Sequence, residues 1–275
     1  ILISIIMLIP IYKVLVDSFD LSSAYGMRLW PKQFGLAGYA SVLSNPTLYR
    51  PLLISVGTTL AGTFLGLALS TLGAYVLIQW DMPGRTFFAN FLLFTMIFNG
   101  GMISSYVVNT QFLNLKNSIW ALILPLCVSS FNVVICKTFF KTNIPESIIE
   151  SAQIDGATQF QIFGKIALPL SKPLMATIAL FLTFGYWNDW FQSSLYISDT
   201  KLYSLQALLD HVQRNIEMMA NNPSLGVTTA QYMNSMPKEG ARMAMAIIII
   251  IPIACCYPFF QKYFISGLTV GAVKG

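Results

Sequence analysis

The stretch IPESIIESAQIDGATQFQIFGKIALPLSKP, running from Ile144 to Pro173, decides how the rest of the chain is read. It is a polar island, punctuated by prolines and glycines, between two apolar runs. Pro145 suits the first turn of a helix, where its missing N–H is no loss. Glu146 and Glu150 follow one turn apart, favourably close to that helix's N-terminus. Ile144, Ile148 and Ala152 recur at i, i+4 and i+8, which gives the helix an apolar edge beside an acidic one. Asp155-Gly156 ends it: glycine supplies the backbone freedom of a tight corner, and Asp155 is a candidate cap for the next helix. That second helix, from about Ala157, is expected to carry Phe160, Phe163 and Ala167 on one face. Pro169 and Pro173 should close it and hand the chain to the next apolar run. The expectation is two short helices around a fixed corner, lying on a membrane surface.

Composition sets the solvent. Hydrophobic residues make up 55% of the 275 residues and charged residues only 10%, and the mean hydropathy is +0.65. Soluble domains carry about 25% charged residues, so the fold class is an all-α integral membrane protein. The length accommodates about six transmembrane helices. Apolar runs place the spans near 1–19, 52–78, 86–108, 119–139, 174–195 and 243–263, with the polar island as a loop over 140–173 and a second long loop over 196–242. The whole chain reads as a single transmembrane domain. Its first run begins without Met, so a further N-terminal segment is expected to precede it.

Within this frame several residues stand out. Lys13 and Asp17 lie four apart inside the first span, where they can neutralise each other or snorkel to the boundary. Thr58, Gly62, Gly66 and Ser70 form a small-residue stripe in the second span, suited to close helix approach inside the chain or against another subunit. Asn99-Gly100-Gly101 interrupts the third span, and polar backbone at that depth is tolerated where a neighbour or a cavity satisfies it. Asn99 is thus either a kink residue or a translocation-path residue, and Asn132 in the fourth span is a second path candidate. Trp187, Asn188 and Asp189 near the end of the fifth span read in two ways. They are an interfacial belt with Asp189 paired internally, or aromatics and polar groups that stack on and hydrogen-bond a sugar. A helix is expected around Leu205 to Met219 in the long loop, with Asn221-Asn222-Pro223 and Pro237 as breakers.

Other chemistry is missing from the sequence. No G-x-x-x-x-G-K-[ST] occurs, so no nucleotide site is expected on this chain. His211 is the lone histidine, which leaves no His-based metal cluster, and no nucleophile–base arrangement is apparent, so the chain is not expected to be an enzyme. Cys127, Cys136, Cys255 and Cys256 all sit in apolar runs and read as buried, hydrophobe-like thiols. The net charge of +5 suits an anionic membrane surface, and no nucleic-acid module is visible.

The residues of the island also resemble a family. Glu150-Ser151-Ala152, Asp155-Gly156-Ala157 and Ile166-Ala167-Leu168-Pro169 resemble the EAA loop of the membrane subunits of bacterial ABC importers. Three residues separate Ala152 from Gly156 and nine separate Gly156 from Ile166, which is the family's spacing, and Ser151 stands where the family has a second alanine. Trp187-Asn188-Asp189 and the terminal Gly-Ala-Val-Lys-Gly look like the carbohydrate-uptake branch, beside its maltose-type second permease. The resemblance implies a multi-pass permease of the bacterial inner (plasma) membrane, paired with a second homologous permease as a heterodimer. It further implies an ABC ATPase dimer, which carries the ATP and Mg, and an extracytoplasmic solute-binding protein that meets the 196–242 loop. The substrate would be an oligosaccharide, of the maltodextrin or the alginate type. ATPase coupling would fall to Glu146, Ile148, Glu150, Ser151, Ala152, Asp155, Gly156, Ala157 and Phe160, with Glu150 facing a basic residue of the ATPase. The alternatives are an importer of a non-sugar solute and an ion-coupled secondary transporter, which would need buried ion-binding carboxylates. With the island cytoplasmic, the inner segments hold seven basic residues and the outer ones eight, so the orientation rests on the resemblance rather than on charge bias.

Overall fold

The computed structural model describes residues 2–20, 29–79, 81–221 and 239–272. Helix α1 is Leu2–Ser18, α2 is Ala37–Leu43 and α3 is Tyr49–Val76; α4 (Arg85–Ile97) and α5 (Gly101–Val107) follow, the latter running into a π-helical turn at Val108–Phe112. Next come α6 (Trp120–Cys127), α7 (Ser130–Asn143), α8 (Glu146–Ile154) and α9 (Gln159–Ile162). A π turn at Phe163–Ala167 leads to α10 (Leu168–Leu170) and α11 (Lys172–Trp187). Helices α12 (Phe191–Tyr196), α13 (Leu205–Asn221) and α14 (Glu239–Ala272) complete the order. Among the described residues the sole extended pairing is an isolated bridge between Asp20 and Phe34, so the all-α class holds.

Two helical stretches, Pro46–Val76 and Gly240–Pro258, are each long and apolar enough to cross a bilayer. Among the described residues three more spans are possible, each as a bent pair. Arg85–Ile97 with Gly101–Phe112 bends by 120°, Trp120–Cys127 with Ser130–Asn143 by 46°, and Gln159–Leu170 with Lys172–Trp187 by 83°. The expected interruption at Asn99 is therefore a sharp corner. The expectation of one continuous helix over 119–139 is corrected: Pro125, inside α6, deprives that helix of a hydrogen bond, and the chain is extended at Val128 and Ser129. The fifth span also ends earlier than expected, at Trp187, and residues 191–196 form their own short helix. The last helix runs on to Ala272, beyond the expected end at 263. Pro223 and Pro237 lie outside the described residues.

The chain divides into two compact units. One consists of Ile1–Ser55, Asp189–Ser194 and Asp199–Cys255. In it Lys13 and Asp17 pair directly, the first of the two alternatives for these residues. The Asp20 carboxylate accepts hydrogen bonds from the backbone N–H groups of Lys32 and Gln33 at 3.1 and 3.3 Å. Val42, Leu205, Ala244 and Ile249 form its core, and Ser55 Oγ accepts the Leu205 N–H at 2.8 Å.

The other unit consists of Val56–Asn188, Leu195–Ser198 and Cys256–Gly275. Its packing explains the small-residue stripe. A Cβ on Gly62 would lie 2.2 Å from the Tyr186 ring, and one on Gly66 would lie 2.5 Å from the Cys127 carbonyl oxygen. Thr58 and Ser70 are buried as well. The stripe is thus the seat of α6 and α11 within the chain, where dispersion contacts and interhelical hydrogen bonds replace the hydrophobic drive that lipid removes. Tyr186 Oη completes the seat by donating to the Ile123 carbonyl at 2.6 Å. Cys127 and Cys136 are buried as expected, whereas Cys255 and Cys256 are exposed on α14, against the reading of all four as buried.

Candidate functional site

The island folds as two short helices around one corner, and the corner has a specific cause. Helix α8 begins after Pro145, which sits just outside it with φ −62° and ψ 133° rather than in its first turn. At the other end Gly156 adopts φ +79°, open to glycine at little steric cost. The Ala157 N–H donates to the Ala152 carbonyl at 2.9 Å, and the Gly156 N–H to the Gln153 carbonyl at 3.0 Å. These are the two bonds of a Schellman motif, and Ala152 and Ala157, which bracket it, both pack against the unit's core. Small residues at 152 and 157 with glycine at 156 are therefore what this corner requires. Asp155 does not cap the next helix as expected. Thr158 does, through a capping box in which Thr158 Oγ1 accepts the Gln161 N–H while the Gln161 side chain accepts the Thr158 N–H at 2.8 Å.

The corner is tied to the spans by one aromatic side chain that the sequence did not single out. Tyr75, in the last turn of α3, donates its hydroxyl to Gln159 Oε1 at 2.9 Å. Its ring packs against Phe163 at 5.0 Å and edge-on to Phe140 at 6.4 Å. Around it Ile144, Ile162 and Ala167 are buried, with Ile149, Phe163 and Ile166 packed beside them.

The expected apolar faces need correction. Ile149, not Ile148, faces the core with Ala152, and Ile148 is 40% exposed. Phe160 does not share a face with Phe163 and Ala167: it is 79% exposed while Ile162 is 1% exposed. The inward set is the buried Ile162 and Ala167 with the partly buried Phe163 and Ile166, carried through a π turn at Phe163–Ala167. Ile154, unremarked in the sequence, is more exposed than either at 86%. Ile148, Ile154 and Phe160 thus stand uncovered on an otherwise polar segment, beside the exposed Glu146, Glu150, Ser151, Asp155 and Gly156.

Behind α8 lies a cleft of about 250 Å³ in which Glu146, Glu150 and Gln153 share the lining with Asp81, Arg85, Lys137 and Lys141. Acid and base balance there. Glu150, Lys137 and Lys141 form no ion pair within the chain among the described residues.

The remaining candidates are spread apart. Asn99 is exposed, and its Oδ1 accepts the Gly101 N–H at 2.9 Å, bracing the sharp corner where Gly101 has φ +79°. Asn132 is 6% exposed and lines a cleft of about 360 Å³ with Ser129, Phe131, Phe181, Gly185 and Tyr186. Trp187 is buried. Asn188 is exposed and donates to the Phe184 carbonyl at 3.0 Å, closing the end of α11. Asp189 Oδ1 accepts the Gln192 N–H at 3.2 Å in the manner of a helix cap. Asp189 is partnered by backbone rather than by a basic side chain. The described residues hold no group of three or more His, Cys, Asp or Glu that could bind a metal.

An all-helical membrane protein with a rigid polar corner between its spans is the class that fold and site define. Residues 1–270 match the family of binding-protein-dependent transport system inner membrane components, and the chain belongs to that family. It is therefore a membrane transport subunit. It is 38% identical to protein LplC of Bacillus subtilis over 273 residues, covering 98% of this chain and 90% of that one. It is 40% identical to the polygalacturonan/rhamnogalacturonan transport system permease protein YtcP of the same organism, over 90% of this chain and 84% of the relative. The trehalose/maltose transport system permease protein MalG of Thermococcus litoralis is 28% identical over 100% of this chain and 94% of its own. Among solved structures, a chain of a bacterial ABC transporter involved in import of the acidic polysaccharide alginate matches with a TM-score of 0.82 at 28% identity. That match covers 96% of this chain and 92% of the other.

Proposed function

We propose that this chain is one of two permeases of a binding-protein-dependent ABC importer of oligosaccharides in the bacterial inner membrane. Family membership and the sugar-transport names of its relatives support the substrate class. It pairs with a homologous permease as a heterodimer, receives substrate from an extracytoplasmic binding protein, and holds no nucleotide itself. ATP and Mg sit on a separate ATPase dimer. The residues assigned to the substrate path are Asn132, which lines a cleft, and Asn99, Trp187, Asn188 and Asp189, which stand at helix ends.

The observation that carries the coupling is the pairing of a rigid corner with an uncovered apolar surface. Ile148, Ile154 and Phe160 project from two helices whose mutual angle is fixed by Gly156 and whose backs are held by Tyr75, Ile149 and Ile162. Such a surface transmits force in both directions only if its base does not yield. Glu150, in no ion pair among the described residues, offers an ATPase a charge to meet, and Glu146, Ser151 and Asp155 border the same surface.

The test is co-expression with the ATPase and reconstitution with the binding protein, comparing wild type with Glu150→Lys and Gly156→Val. A β-branched residue at φ +79° costs on the order of 1–2 kcal/mol locally, with no neighbour within 4 Å to add a clash. Both variants should insert normally yet lose substrate-stimulated ATP hydrolysis. Full stimulated hydrolysis and uptake in both would show the corner to be a passive hairpin.

A further inference from the structure

We propose that the groove between α4 and α7 is a binding site for one anionic phospholipid, with Lys137 and Lys141 holding its phosphate. The groove measures about 270 Å³ and takes its walls from Ala89, Leu92 and Leu93 on α4 and from Val133 and Val134 on α7. Thr138 and Thr142 also line it, but their hydroxyls donate to the carbonyls of Val134 and Thr138, each at 2.9 Å, so they add little polarity. Lys137 and Lys141 line it too, one helical turn apart and so on one side of α7.

The charge in this groove is one-sided. No carboxylate lines it, and neither lysine forms an ion pair within the chain among the described residues. Asp81, Glu146 and Glu150 line the adjoining cleft behind α8, which shares Leu77 and both lysines with this groove, yet neither lysine ion-pairs with them among the described residues. A slot walled by methyl groups and bordered by two adjacent ammonium groups has the chemistry of an acyl chain joined to a phosphate. Basic pockets between membrane helices recognise lipid headgroups in this way. A second protein helix would fill the walls but leave both lysines uncompensated unless it also brought acids; a lipid of the surrounding leaflet satisfies both parts at once. Lys141 lies in the last turn of α7 and also lines the cleft behind α8, so the bound headgroup would border Glu146, Glu150 and Gln153.

The experiment uses the assembled importer, purified from nanodiscs of phosphatidylcholine containing a minor fraction of phosphatidylglycerol, with retained lipid measured by native mass spectrometry after graded detergent washing. Wild type should keep one phosphatidylglycerol per copy of this chain and no phosphatidylcholine. Lys137→Gln/Lys141→Gln should weaken retention roughly thirtyfold, two lysines' worth of attraction at a membrane surface. Val134→Trp, which fills the groove and keeps both charges, should abolish retention as well, separating a seated lipid from loose surface attraction. Equal retention of the two lipids by wild type, or undiminished phosphatidylglycerol in either variant, overturns the proposal. So does loss of the ATPase from the complex in the lysine variant with lipid unchanged, which would assign the lysines to a protein contact.

Discussion

Phe160 and Ile162 lie two residues apart on the same short helix, and replacing each by alanine should separate contact from anchorage. In the free chain Phe160 is 79% exposed and Ile162 is 1% exposed. Removing an exposed ring that touches little should change the stability of the subunit by less than about 0.5 kcal/mol. If the ATPase covers that ring, its loss forfeits burial of about 1.5–3 kcal/mol, equivalent to roughly ten- to a hundredfold in affinity. Truncating Ile162 instead leaves a hole beneath Tyr75 and Phe163 and should cost about 2–5 kcal/mol of the subunit's own stability. The assays are thermal unfolding of the isolated subunit in detergent and titration of the reconstituted subunit with ATPase. The expected outcome is a normal melting curve with weakened ATPase binding for Phe160→Ala, and a lowered melting curve for Ile162→Ala. Undiminished ATPase affinity in Phe160→Ala, or a destabilisation matching that of Ile162→Ala, would refute the assignment of this face to the partner.

Two further outcomes rest on the packing of α11 and the turn beyond it. Gly62→Ala places a methyl within 2.2–2.5 Å of the Tyr186 ring, so folded yield and melting temperature should fall by the equivalent of about 1–3 kcal/mol, with partial recovery in Gly62→Ala/Tyr186→Leu. Asp189→Asn keeps an acceptor for the Gln192 N–H and should leave stability and uptake near wild type, whereas Asp189→Ala should lose about 1 kcal/mol in thermal unfolding. Loss of uptake in the asparagine variant would instead assign the carboxylate to the path.

Legibility in the sequence tracked the range of the physics. The corner at Gly156 was readable because a positive φ leaves a one-residue signature and its supporting bonds stay within six residues. The membrane class was readable because composition alone reports the solvent. Phe160 stands outside the expected face because the inward set centres on Ile162, Phe163, Ile166 and Ala167, and i, i+3, i+7 spacing alone does not say which edge of a face packs. Tyr75 went unnoticed because its partner Gln159 is 84 positions away and neither residue is unusual where it stands. The break after Cys127 was hidden because a bent apolar pair and a straight apolar helix have the same composition, and Pro125 alone does not say which. Asp189 looked like an expensive buried charge, while the Gln192 N–H that satisfies it lies three residues on and leaves no pattern.

The Tyr186 ring, seated on Gly62 and bonded to the Ile123 carbonyl, touches three helices at one point. A bolt through three beams leaves them no freedom to slide past one another. Displacement arriving at the Gly156 corner should therefore turn α3, α6 and α11 together, as a lever turns about its pin, rather than shear them apart. The backbone amides around that pin should be the slowest in this unit to exchange with solvent, whichever way the lever points.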